Sequence, residues 1–183
     1  YTASAGSLPE GCTIAVAWRG RLVVSGDDDD SQNIFASRVG DPEDWDYGQE
    51  DPAAAWAANL APAGRVGQPV LALIPISDDL LIVGCEQSMW CVRGDPADGG
   101  SIDLVTDTAG ISGPNAWCRV ADGSVYFVGP GGFFRLGPDG SFAGRVDDTA
   151  YPQYFVQFDR FTTHANLVFD IERNSIWIYA APE

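Results

Sequence analysis

The sequence predicts an all-β fold, organised as a propeller-like array of antiparallel blades. Short apolar runs rich in β-branched and aromatic residues recur along the chain, and Gly, Asp, Asn or Pro bounds each of them, which is typical of strands. A turn dipeptide precedes each of four such runs. The turns recur every 44 to 59 residues, which is close to the roughly 40 to 50 residues of one propeller blade with loop insertions.

Two strands joined by a turn open each predicted unit. The first strands are expected at residues 14–18, 70–76, 116–120 and 167–171, and the second strands at 22–24, 80–83, 125–128 and 176–179. The turns between them are Arg19-Gly20, Asp78-Asp79, Asp122-Gly123 and Arg173-Asn174. Asp-Gly in particular supplies the positive φ angles of a type I′ hairpin. We expect the second strands of the first three units to be equivalent strands of successive antiparallel sheets.

A third strand and a related closing phrase follow in the first three units. The phrases are Gly40-Asp41-Pro42, Gly94-Asp95-Pro96 and Gly137-Pro138-Asp139. We therefore predict one propeller-like domain, residues 1–183, with units at about 12–68, 69–115, 116–150 and 151–183. The last unit shows only two strands. Either its missing strands come from elsewhere in the ring, or the chain is an incomplete part of a larger ring.

Three segments are less regular. Residues 41–68, which we call the excursion, are predicted to leave the sheet and to contain a helical turn near Ala53 to Ala58. Residues 95–115 are also irregular and could carry a fourth, outer strand at Ile102 to Thr106. Residues 151–161 are rich in aromatic side chains and fit either a short helix capped by the acids before it or another strand.

The charge balance excludes several functions. The 183 residues include 26 acidic and 10 basic side chains, which gives a net charge of −16, and 45% are hydrophobic, which is enough to form a core. Sequence-specific binding of nucleic acid is disfavoured because phosphate contacts need cations. Anionic membranes are disfavoured for the same reason, and no run reaches the roughly 18 apolar residues of a spanning helix, so no membrane insertion is expected.

No catalytic residue or cofactor is predicted. His164 is the single histidine and is expected in a polar turn ahead of a strand. Asp147 and Asp148 are adjacent, so on an extended strand they would point to opposite faces and would not converge on one glycosidic bond. The sequence contains neither a nucleophile-elbow motif nor a phosphate-binding glycine motif. We therefore do not expect an enzyme.

The cysteines and one acidic run are the candidates for metal binding, and no metal site is predicted from either. The four cysteines contain no C-x-x-C spacing, so free buried thiols are favoured over zinc, although Cys85 and Cys91 could face each other across a hairpin. Asp27 to Asp30 supply four carboxylates that could gather calcium. The run lacks the alternating ligands and the glycine of a calcium loop, so a solvated loop is favoured.

Several phrases of the sequence resemble one family of viral proteins. The runs are WRGRLVVSG, IFASRVGDPEDW, LLIVGCEQSMWCVRGDP and DTAGISGPNAWCRVADGSVYFVGPGGFFRL. They are similar to segments of the β-propeller-bearing tail tubular or nozzle proteins of short-tailed double-stranded DNA bacteriophages. The resemblance covers most of residues 14–136. It implies a structural protein of the virion tail that forms a ring of identical subunits extending the DNA exit channel, with other tail or connector proteins as partners.

The excursion carries the predicted contact residues. Trp45, Tyr47 and Trp56 lie there among acids, which is the composition of a contact patch, and Asp41 and Arg65 complete the candidate interface with a neighbouring subunit. The alternative is that both tryptophans fold back over a blade edge. A second function is also open: a carbohydrate- or receptor-binding propeller module, in which the loops bind a ligand.

Overall fold

The computed structural model describes residues 4–147 and 163–182 and confirms an all-β fold of several antiparallel sheets. The strands in chain order are β1 (Ala5–Gly6), β2 (Ile14–Trp18), β3 (Arg21–Ser25), β4 (Ile34–Ala36), β5 (Asp44–Trp45), β6 (Trp56–Ala57), β7 (Val70–Ser77), β8 (Leu80–Cys85), β9 (Met89–Arg93), β10 (Ser101–Thr106), β11 (Trp117–Arg119), β12 (Val125–Gly129), β13 (Gly132–Leu136), β14 (Phe142–Arg145), β15 (Thr163–Asp170) and β16 (Ser175–Pro182). One 3₁₀ turn covers Pro96–Asp98. These residues include no helix that could cross a membrane.

Three sheets of four antiparallel strands follow one another along the chain. Blade 1 has the order β2-β3-β4-β6, blade 2 the order β7-β8-β9-β10, and blade 3 the order β11-β12-β13-β14. The hairpin β15-β16 forms blade 4, and β1 pairs with β5 in parallel beside blade 1. Strands β3, β8 and β12 are each the second strand of a separate sheet, so the predicted equivalence of the three repeats is confirmed.

The outer strands of the first two blades correct one prediction and confirm another. The predicted helical turn near Ala53 to Ala58 is wrong, because Trp56 and Ala57 form β6 and pair with Ala36 and Phe35 of β4. Alanine favours a helix locally, but the open edge of β4 offers backbone hydrogen bonds that a single isolated turn cannot match. The fourth strand expected at Ile102 to Thr106 is present as β10. Residues 151–161 lie outside the described residues.

Blade 2 is covered on both faces, and this explains its apolar sequence. All six residues of β8 are buried. Because successive side chains of a strand point to opposite faces, Leu81 and Val83 pack toward blade 1 while Leu80 and Ile82 pack toward blade 3. Two apolar clusters result, one in the seam between blades 1 and 2 and a second extending from blade 2 through blade 3 to blade 4.

The same alternation separates the two cysteines that the sequence placed on one hairpin. Cys85 packs in the cluster between blades 1 and 2, whereas Cys91 packs in the cluster beyond blade 2, so the two thiols lie on opposite faces of the sheet. All four cysteines are free. Burial raises the pKa of the Cys85 thiol to about 12, so this group is protonated near neutral pH. Cys85 and Cys91 therefore act as small apolar core residues.

A buried ion pair joins blade 1 to blade 2. The Arg21 guanidinium donates to Asp95 Oδ2 from Nε and Nη2, at 3.1 and 2.8 Å. Its Nη1 donates to the carbonyls of Ser37 and Ala54, both at 2.6 Å, and Nη2 donates to the carbonyl of Pro52 at 3.2 Å. One side chain at the start of β3 thus binds the end of β4, the excursion and the loop after β9. The arrangement satisfies a charge that would otherwise be costly to bury.

We expect Arg21→Met to destabilise the protein by about 3 to 5 kcal/mol, because the buried Asp95 carboxylate then keeps only the longer contact with Arg19, at 3.5 Å. Arg65→Met is the matched control, since Arg65 is exposed and donates to a single carbonyl, that of Asn59. The control should change the free energy of unfolding by less than about 1 kcal/mol. Urea unfolding followed by tryptophan fluorescence measures both. Equal, small losses for the two variants would contradict the role assigned to Arg21.

Candidate functional site

The two tryptophans of the predicted interface are buried within the chain itself. Trp45 has 0% of its surface exposed and Trp56 has 3%. Trp45 lies on β5, which pairs in parallel with β1, and Trp56 lies on the outer strand β6 of blade 1. The structure therefore matches the alternative in which both indoles fold back on their own domain. Neither side chain is available to contact a neighbour directly, and the expectation that they form an exposed patch is corrected.

The three other predicted interface residues lie at separate places on the excursion. Asp41 is half-buried, and its Oδ1 accepts the backbone N–H of Glu43 at 2.9 Å. Tyr47 is half-buried, and its ring packs against that of Phe35 with centroids 6.3 Å apart. Arg65 is exposed. Of the five predicted residues, only Tyr47 and Trp56 line a common cavity.

This cavity has a volume of about 430 Å³ and lies between the excursion and the 3₁₀ turn of blade 2. Its main lining residues are Tyr47, Glu50, Trp56, Leu60, Pro62 and Pro96. The Tyr47 hydroxyl and the Trp56 indole N–H are buried without a hydrogen-bond partner in the part of the chain that the structure describes. Burial raises the pKa of Tyr47, so its hydroxyl stays protonated.

The carboxylates around the cavity do not form an acid–base pair. Asp51 binds Arg38, with Arg38 Nη1 2.9 Å from Asp51 Oδ2. The hydrogen bond from Arg38 lowers the pKa of Asp51, so this carboxylate is ionised and occupied. Glu50 lines the cavity and is exposed. The cavity thus has largely apolar and aromatic walls and one exposed carboxylate, which suits binding of an uncharged ligand.

The acidic run and the cysteines give no metal-binding geometry in the described residues. Asp27 Oδ1 accepts the backbone N–H of Asp29 at 3.0 Å, and Asp30 Oδ2 accepts the amide of Asn33 at 2.9 Å. Within residues 4–147 and 163–182, no group of three or more His, Cys, Asp or Glu side chains could hold a metal ion. The carboxylates of Asp27 and Asp30 instead stabilise the loop between β3 and β4.

Asp147 and His164, which were considered as catalytic residues, lie in structural positions in the fold. Asp147 is buried and binds Arg145, with its two oxygens 2.7 and 2.8 Å from the guanidinium, and it also accepts the Phe133 N–H at 3.0 Å. Burial raises the pKa of Asp147, but the bonds from Arg145 and Phe133 outweigh it and the net shift is downward. Asp148 lies outside the described residues. His164 lies within strand β15, not in the polar turn expected before it.

Blade 4 carries a surface that was not expected from the sequence. Val168, Trp177 and Tyr179 are 54%, 47% and 57% exposed. Large aromatic side chains on strands usually contribute to the core, but Trp177 and Tyr179 face outward. The sequence carries no signal for this surface, because residues 167–169 and 176–179 are apolar or aromatic at every position and do not alternate with polar residues.

Comparison with known proteins adds no assignment: no protein-family model matches the chain, and no curated protein sequence matches it.

We expect Trp45→Ala and Trp56→Ala to act on stability, each lowering the free energy of unfolding by about 3 to 5 kcal/mol, because both remove a large buried ring. Leu60→Ala is the matched control, since Leu60 is exposed in the same segment. Thermal and urea unfolding of the isolated chain measure the effect. Unchanged unfolding of both tryptophan variants would show that these indoles do not belong to the core.

Proposed function

We propose that this chain is a non-enzymatic structural component of the tail of a short-tailed double-stranded DNA bacteriophage, where it acts as a subunit of a ring that extends the DNA exit channel. The proposal joins the resemblance of residues 14–136 to tail tubular or nozzle proteins with the fold, an array of rigid antiparallel blades. A rigid array suits a part that must hold its shape while DNA passes.

The observation that carries the proposal is the seam between blades 1 and 2. Arg21 belongs to the phrase WRGRLVVSG and Asp95 to the phrase VRGDP, and both phrases are among those that carry the resemblance. The two side chains form the buried ion pair between the blades. Polar residues of the shared phrases therefore hold the scaffold together. This supports a structural function better than a catalytic one.

The charge distribution of the protein supports passage of DNA without binding. Among the residues that the structure describes, six arginines form ion pairs with aspartates: Arg19, Arg21, Arg38, Arg135, Arg145 and Arg173. Cations held in this way are poorly placed to release counterions from a phosphate backbone. With a net charge of −16, the protein repels DNA, so DNA in a channel lined by such subunits would slide without adhering.

The test is the location of the chain in particles. Virions purified from cells that produce the protein are labelled with a gold-conjugated antibody against this chain and examined by negative-stain electron microscopy. We expect label at a ring on the tail, between the head and the tail tip, and no label on the capsid. An antibody against the major capsid protein serves as the control. Finding the chain only in the soluble fraction of the cells, and absent from particles, would overturn the proposal.

A second candidate function rests on the cavity beside the excursion. Its aromatic walls and exposed Glu50 fit a carbohydrate of a cell-surface receptor. If the chain is such a module, it binds glycans on an array, and Glu50→Gln weakens that binding while Asp103→Asn, a change of an exposed carboxylate on β10, does not. Absence of glycan binding at millimolar concentrations would eliminate this candidate.

A further inference from the structure

Blade 4 presents an apolar surface that is about half exposed, which we call the open face. It consists of Asn166 and Val168 of β15 together with Trp177 and Tyr179 of β16. Asn166 pairs with Tyr179 and Val168 with Trp177 across the hairpin, so the four side chains stand together on one side of the sheet. Large apolar groups that are half exposed and contiguous are typical of an interaction surface.

The opposite side of blade 4 is packed on blade 3. Ala165 and Leu167 are buried there, and the Leu167 N–H donates to the carbonyl of Asn115 at 3.0 Å. Phe169, Ile176 and Ile178 pack against the same cluster. Blade 4 therefore has one face in a seam and one face without cover in the described residues.

The open face continues a series of seams. In blade 1 the face that carries Val16 and Trp18 packs on blade 2, and in blade 2 the face that carries Ile74 and Ile82 packs on blade 3. Each of these faces is covered by the next blade along the chain. We call it the forward face of its blade, and we call the opposite face the rear face. By this regularity, the forward face of blade 4 is shaped to receive the rear face of another blade.

On the rear face of blade 1, β2 is the exposed part, because Phe35 on the same side packs against Tyr47 of the excursion. The side chains on that side of β2 are Ala15 and Ala17, both exposed and both small. In two of the three seams the first strands lie next to each other, β2 beside β7 and β11 beside β15. In a further seam, β15 would therefore lie beside β2, and the bulky groups of the open face would meet the small side chains of β2.

An ion pair in the seam between blades 1 and 2 indicates which charged residues would meet in a further seam of the same kind. Arg19, in the turn between β2 and β3, lies 2.5 Å from Asp79 and 3.5 Å from Asp95 of blade 2. Arg173 is the arginine of the loop between β15 and β16 in blade 4, which has four residues where the turn that carries Arg19 has two. The Arg173 side chain is 70% exposed, and its Nη1 lies 2.8 Å from Asp170 Oδ2 of the same blade. This exposed pair leaves the guanidinium accessible to a further carboxylate.

The acid that corresponds to Asp95 in blade 1 is Asp41. Asp95 follows Gly94 at the end of the third strand of blade 2, and Asp41 follows Gly40 in the same phrase after the third strand of blade 1. Asp95 meets arginines of the blade before it. Blade 1 has no blade before it in the described part of the chain, and the arginine that interacts with Asp41 is Arg38 of the same blade.

We propose that two copies of this chain associate head to tail, with the open face of blade 4 of one copy seated on the rear face of blade 1 of the next, and with Arg173 beside Asp41 across the contact. The proposal rests on the proposed ring assembly and names its contact surface and its partner. A head-to-tail contact uses different surfaces on the two copies, so it generates a closed ring or a filament according to the rotation between them.

The charge of the chain predicts the salt dependence of this contact. Two chains of charge −16 repel each other, so burial of the apolar open face must drive association. Salt screens the repulsion and leaves apolar burial in place. Association should therefore strengthen when the salt concentration rises from about 50 mM to about 500 mM.

The first test is sedimentation velocity of the full chain over a range of concentrations. Val168→Asp and Tyr179→Asp each place a charge in the contact and should weaken association at least about tenfold. Leu104→Asp is the matched control, because Leu104 is also exposed and apolar but lies on β10, away from the open face. The control should associate like the unmodified chain. Melting temperatures show that each variant is folded.

The second test identifies the partner surface. Arg173→Asp alone and Asp41→Arg alone place like charges together across the contact, and each should weaken association by up to about fivefold. An equimolar mixture of the two variants should recover the unmodified association, because every contact between unlike copies then joins opposite charges. Recovery in the mixture is expected only when Arg173 of one copy meets residue 41 of another.

The outcomes separate this inference from the proposed function. A chain that stays monomeric at high concentration and high salt, or open-face variants that associate normally, would overturn the head-to-tail contact even if the protein is found in virions. Association that responds to the variants as expected, in a protein absent from virions, would leave the contact standing and overturn the tail function.

Discussion

The buried guanidinium of Arg21 is the interaction on which the arrangement of blades 1 and 2 depends. Five donors in a rigid fork cannot be buried unless each finds an acceptor, and here the acceptors come from three separate parts of the chain. Satisfying this one side chain fixes the end of β4, the path of the excursion and the position of Asp95. The apolar clusters account for most of the buried surface. However, apolar packing specifies the relative position of two blades less strictly than a buried charge, which needs its partner at one place.

The two-sided packing of the blades connects this scaffold to its surfaces. An internal blade is apolar on both faces because each face meets a neighbour, as β8 shows. A terminal blade keeps the same strand composition, but its outer face meets no neighbour within the described residues. The aromatic groups of Trp177 and Tyr179 are therefore exposed for the same reason that those of β8 are buried. In this fold, the exposed face of blade 4 is the same kind of surface as the faces that pack between blades, but its partner lies outside the described residues.

The candidate site shows where sequence reasoning succeeds and where it does not. The repeat, the hairpins and the Gly-Asp-Pro phrases could be found from spacing alone, since turns and strand periodicity are local properties. The roles of the tryptophans could not be found in this way. Trp45 and Trp56 stand among acids and prolines yet are buried, because the excursion returns to pair with β1 and β4. Those pairings are long-range contacts, and no local pattern reports them.

The sequence by itself determined the fold class, the position of each hairpin and the acidic character of the surface, because these follow from side-chain type and from spacings of a few residues. Tertiary structure alone decided which face of each strand is covered, that β6 completes blade 1, and that Arg21 binds Asp95 across 74 positions of the chain. The physical reason is that burial depends on neighbours brought together by folding. A strand with two apolar faces has the same residue pattern whether one face or both faces are covered, so the sequence does not show which faces are buried.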